Sequence, residues 1–177
     1  MRLIAALLVC ALPAAASAGS SYFGEIVGTL PSVRGNAMGD AYAAAEDDPL
    51  GFYYNPAHGV TDPAAAAVLQ SGYAGGDSAG VIGASLPSVF GLCFGAGLLY
   101  YSAGTIDMYT TDSTLRSVDA EQDVIEQLNL SRALTRRVTA GVNVKMVQMS
   151  LFGEKRGTAV LGDAGVLARY GFANLGA

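Results

Sequence analysis

His58 is the one imidazole in the chain. It lies beside a turn, with no Ser-His-Asp set, Cys-His pair or His-rich metal spacing around it. A histidine so placed is more often a packing residue than a general base. Glu46-Asp47-Asp48 offers hard oxygen ligands, and Asp107 to Asp112 has the acids of a calcium loop. Neither stretch has the central glycine and distal glutamate that such a loop needs. Gly95-Ala96-Gly97 lacks the third glycine of a dinucleotide loop and falls inside a strand pattern, where small residues serve packing. Cys93 reads as a small buried hydrophobe. The expectation is a protein without enzymatic activity, metal or cofactor.

The surrounding composition points the same way. Of 177 residues, 51% are hydrophobic and 14% charged, with 23 glycines and no tryptophan. So apolar a chain is not intrinsically disordered, and two cysteines do not make a disulfide scaffold. A net charge of −5 provides no basic surface for nucleic acid. The charge is also segregated. Gly19 to Glu126 holds 13 acidic residues against Arg34 and Arg116, whereas Gln127 onward holds 7 basic residues against Glu154 and Asp163.

Arg2, the ten apolar residues Leu3 to Leu12 and the small-residue step Ala16-Ser17-Ala18 read as a Sec-type signal peptide, cut after Ala18. Its apolar core is too short to span a bilayer, and no later stretch is long enough for a membrane helix. Entry into a membrane would therefore require a closed β-barrel, in which every backbone N–H and C=O finds an internal partner.

Residues 19–62 are irregular and rich in Gly, Asp, Pro and Ala. Asn36 is expected to cap a short helix running through Ala45, and Asn55-Pro56 to open another turn. From about Ala66 the hydrophobic period becomes two. Strands are expected at 66–75, 79–87, 90–102, 123–133, 138–148 and 158–170. Several reach ~10 residues, the length of a tilted membrane strand, rather than the ~5–6 typical of strands in water. The joins at Pro87-Ser88 and Thr135-Arg136-Arg137 are tight. Those between 102 and 123 and from Met149 to Gly157 are expected to be long and to share the opposite side. Tyr73, Phe90, Tyr100, Tyr101, Tyr109 and Tyr170 fall near strand ends, where an aromatic girdle would sit.

Three blocks in the irregular zone carry a family likeness: Val33-Arg34-Gly35-Asn36-Ala37-Met38-Gly39-Asp40, then Ala45-Glu46-Asp47-Asp48-Pro49, then Phe52-Tyr53-Tyr54-Asn55-Pro56-Ala57. In order and spacing this resembles the N-terminal signature of the PorV/PorQ-type outer-membrane proteins, relatives of the FadL hydrophobic-compound transporters. His58 stands where that pattern has glycine. The resemblance implies that residues 19–62 fold as a plug inside a barrel, with Arg34, Gly35, Met38, Gly39, Asp40, Asp47, Asp48, Tyr53, Asn55 and Pro56 as its signature positions. Two readings of Asp40, Asp47 and Asp48 stand: they face cations of the lumen wall, with Lys145 and Arg169 as partners and Asp163 a further lumen charge, or they simply cap turns in water.

The expected fold is all-β: an antiparallel transmembrane barrel behind a partly helical plug. About six strands are represented in 63–177, too few to close, so the chain reads as part of a longer barrel. Three functions compete. One is a PorV-like partner in protein secretion or surface attachment, in contact with outer-membrane lipid and with secretion-system or cargo proteins. Another is a FadL-like channel for hydrophobic small molecules. The third is a soluble exported β-sandwich. The long run from Phe23 to Arg34 before the signature favours the first.

Overall fold

In Val138–Leu151, residues 139, 141, 143, 145, 147 and 149 are buried, and 142, 144 and 148 exposed. That alternation is what one covered and one open face of a sheet require. The computed structural model describes residues 32–39, 41–45, 47–58, 64–71, 76–87, 89–109, 113–171 and 173–177. Residues 1–31, on which the expected signal peptide falls, and Asp40, Glu46, Tyr73 and Asp112 lie outside that set.

The strands are β1 (Ala64–Ser71), β2 (Ser78–Pro87), β3 (Leu92–Ser102), β4 (Thr105–Tyr109), β5 (Leu115–Asp119), β6 (Glu121–Ala133), β7 (Val138–Leu151), β8 (Lys155–Tyr170) and β9 (Ala173–Gly176). Seven form one antiparallel sheet in the order β1-β2-β3-β6-β7-β8-β9, and β4 pairs with β5 apart from it. The sheet is strongly curled and open, a half-barrel. All six expected strands are present. Three more are found: β4 and β5, which lie within the long join expected between 102 and 123, and β9, a four-residue strand on the outer edge of β8, pairing Leu167–Tyr170.

Two local expectations are corrected. The helix α1 spans Val33–Ala37, earlier than Asn36 to Ala45, because Ser32 and not Asn36 caps it: Ser32 Oγ accepts the Gly35 N–H at 3.3 Å. Gly39, at φ 61°, follows its C-cap, a backbone state that suits glycine. Asn55-Pro56 does open a turn, with the His58 N–H on Asn55 O at 2.9 Å, and a single 3-10 turn, Gly51–Tyr53, precedes it. Finally, β7 and β8 pair as far as Leu151 and Lys155, so their join shrinks to Phe152–Glu154, with Phe152 and Gly153 at positive φ.

The register stacks side chains in rows across the sheet. On the concave face one row is apolar (Val81, Leu99, Ile125, Val147) and another polar (Ser85, Asn129, Asn143, Asp163). On the convex face Leu86, Phe94, Leu130, Val142 and Ala164 form one row, and Ala84, Ala96, Leu128, Val144 and Gly162 the next. A third joins Ile82, Leu98, Glu126, Met146 and Val160. Most of these convex apolar side chains are open: Leu128 is 66% and Val160 71% exposed.

Candidate functional site

The concave face is filled by the chain's own inner segment, Ser32 to His58. Leu50 inserts among Val81, Leu99, Ile125 and Val147, with Tyr53, Ala66 and Tyr101 packed around them. Tyr101 thus faces inward and is not part of a girdle. Phe52 is fully buried and stacks on Tyr53, ring centroids 4.7 Å apart. Strand glycines make room for these rings: a Cβ on Gly95 or Gly97 would meet Phe52, and one on Gly97 would overlap the Tyr53 hydroxyl. Gly95-Ala96-Gly97 is therefore a docking surface for aromatic side chains.

Polar side chains of the wall then hold the backbone of the segment. Gln127 Nε2 and Asn143 Nδ2 both donate to the Phe52 carbonyl, at 3.2 and 2.8 Å. Asn129 Nδ2 donates to Pro56 O at 2.8 Å and to Asn143 Oδ1 at 2.7 Å. Asn55 works in the reverse direction. Its Nδ2 donates to Ala43 O and to Val166 O on β8, while its Oδ1 accepts the Ala57 N–H. Each bond satisfies a carbonyl or amide that burial would otherwise leave costly. Gly141 and Gly165 sit directly beneath this turn, close to Pro56 O and to Asn55 respectively.

A second polar knot closes the segment on itself. Asp48 accepts from Ser32 Oγ at 2.8 Å, the Tyr42 hydroxyl at 2.7 Å and the Leu50 N–H at 2.8 Å. Burial alone would raise its pKa, but these three bonds outweigh burial and hold the carboxyl below its usual range. His58 Nε2 accepts the Asp48 N–H at 3.1 Å. Burial pulls its imidazole below the ordinary histidine range, against the pull of Asp48, so it sits as a neutral acceptor. The Tyr42 hydroxyl is pushed up to about 12, by burial first and then by Asp48.

The signature positions are thus placed as follows. Gly35 lies against the Tyr54 ring, and Arg34 lies 5.7 Å over the Tyr42 ring. Met38 and Asp47 are exposed, and Asp47 takes a positive φ of 58°. Asp48, Asn55, Pro56 and Tyr53 all belong to the packed core of the segment. The pairing of Asp48 with wall cations does not occur, because local donors saturate its carboxylate. Lys145 instead pairs with Asp163 on the neighbouring strand, at 2.6 Å, and Arg169 Nη1 donates to Thr139 Oγ1 at 2.8 Å. Asp40 lies outside the described residues.

Gln127, Asn129 and Asn143, the residues that hold the segment, were not singled out from sequence. Their signal was available: amides at the inward parity of strands whose outward positions are apolar. Among the described residues no three His, Cys, Asp or Glu side chains group to hold a metal ion. Cys93 is a free, buried thiol. The arrangement can seat and lock a chain segment.

No protein-family profile, curated protein or solved structure matches this chain. The class it belongs to rests on its own geometry: an antiparallel, curled half-barrel whose hollow is occupied by the preceding residues.

Proposed function

We propose that this is a non-enzymatic outer-membrane β-barrel protein of the PorV/PorQ type, acting in protein secretion or surface attachment. The observation that carries the reading is the convex face: its apolar side chains lie open, while the concave face, part apolar row and part amide row, is covered by the inner segment. Water disfavours so large an exposed apolar patch, whereas lipid favours it. Arg132 ends the band on one side and Arg156 on the other. Their rows are ten residues apart on β6, ~34 Å along a strand, which a tilt of ~40° reduces to an apolar height of ~25 Å.

Strand parity supports closure by the protein's own chain. With seven strands alternating in direction, β1 and β9 run parallel. A second copy rotated about the barrel axis would meet this one through two parallel seams. A chain that turns back after β9 and adds an odd number of strands gives an all-antiparallel wall of even strand number. The inner segment, held at Phe52, Asn55 and Pro56, favours a filled lumen over an open channel.

Alkaline carbonate extraction of bacterial envelopes containing the full protein is the test of location. The protein is expected in the membrane pellet. Recovery in the supernatant contradicts the barrel. Reconstituted in liposomes, it is expected to leave the entry rate of a fluorescent fatty acid unchanged. Faster entry would replace the secretion role with solute transport.

A further inference from the structure

Between β3 and β6 the pairing does not stop at the rim of the sheet. Ser102 opposes Gln122, and Thr105 opposes Asp119, the same register carried onward. Ala103 N–H to Glu121 O (3.0 Å) and Ala120 N–H to Gly104 O (2.9 Å) bridge the interval. The twenty residues expected as a loop are therefore a two-stranded ribbon. It continues β3 and β6 past the ends of their neighbours, since β2 begins at Ser78 opposite Ser102 and β7 ends at Leu151 opposite Glu121. Seven residue steps to Tyr109 and Leu115 make a projection of ~24 Å.

Among the described residues no strand pairs with this ribbon. Every residue of β4 and β5 except Val118 is exposed, including Ile106, Met108, Tyr109 and Leu115. On the β5 side its base is fixed by the Phe152 N–H, which donates to Ala120 O at 3.1 Å. Two strands without a third are marginal in water, and open edges are templates for strand addition. Residues 103–122 carry Asp107, Asp112, Asp119 and Glu121 against Arg116, a net charge of −3. That charge repels a second ribbon of the same kind and attracts a cationic strand.

We infer that the β4–β5 ribbon is a docking arm that takes an extended, basic and apolar segment of a partner protein as a third strand along β4. Backbone hydrogen bonds provide the pairing, Ile106 and Met108 the apolar contact, and Asp107 and Asp119 the preference for lysine or arginine. The inference stands on the ribbon alone and holds whether the convex wall faces lipid or water.

The test is hydrogen exchange on the folded full protein with a synthetic probe, an eight-residue peptide alternating lysine and valine. The peptide is expected to slow exchange of the β4 amides by roughly tenfold or more. The protection should fade in high salt. An alternating glutamate–valine peptide should give none, nor should a lysine–valine peptide N-methylated at every residue, which leaves neither edge able to donate. D107N/D119N, which keeps the ribbon's shape, should weaken the effect severalfold. The inference is overturned if the lysine–valine peptide gives no protection. Equal protection by the glutamate or N-methylated peptide, or of the double variant, overturns it as well.

Discussion

Gly141→Ala is expected to unseat the inner segment from the sheet and to lower stability by more than about 3 kcal/mol, a large effect for one added methyl group. A Cβ at 141 would overlap Pro56 O and come within 2.8 Å of the Ala57 nitrogen. Both are backbone atoms of a turn held by Asn55 and Asn129, so neither side of the contact can move alone. Overpacking of this kind costs about 1–3 kcal/mol, and displacing the turn also forfeits its hydrogen bonds at roughly 1 kcal/mol each. Gly153→Ala is the control. That glycine has open space around it and only its positive φ to lose, a cost of about 1–2 kcal/mol. Urea midpoints of the two variants, with limited proteolysis between residues 47 and 58, check the difference. Equal midpoints would mean that the turn does not rest on Gly141.

Leu128→Arg is expected to cost about 2–4 kcal/mol for a protein folded in lipid vesicles, because Leu128 stands in the middle row of the convex band. Gln122→Arg, at the rim of the same face, is expected to cost about 0–1 kcal/mol. In a water-facing sheet both would fall within about 0.5 kcal/mol of zero. Glu126 adds a test of opposite sign. It is a carboxylate in an otherwise apolar row between Leu98 and Met146, so Glu126→Leu should stabilise the vesicle-bound fold. Urea titration of vesicle-folded protein measures all three.

Much of the wall was legible because alternation reports one covered face. Val138 to Met146 shows this, as do the long strands on either side. The short strand β9 was not, since Ala173 to Gly176 is too brief and too small in its side chains to display a period. The ribbon was hidden for another reason: its Asp, Ser and Thr residues fall among apolar ones on a piece with no covered face. The likeness of Arg34 to Ala57 to a plug signature is a resemblance of sequence alone. It did not foretell how the stretch is held. Asn129 and Asn143 meet Pro56 and Phe52 from 73 and 91 residues away, and no local pattern encodes that meeting. For Asp48 the sequence leaves wall cations and local turn capping equally open, since a carboxylate suits both. Ser32, Tyr42 and Leu50 reach it first.

The central claim is that the convex wall faces lipid, and a nitroxide at position 128 reads it most directly. The label is introduced as Leu128→Cys in a chain carrying Cys93→Ala, with a second label at Gly153→Cys in the β7–β8 turn for reference. In vesicles, molecular oxygen should relax the label at 128 more strongly than a water-soluble nickel chelate, and the order should reverse at 153. If the nickel chelate relaxes both positions alike, the convex face is in water and the barrel reading fails.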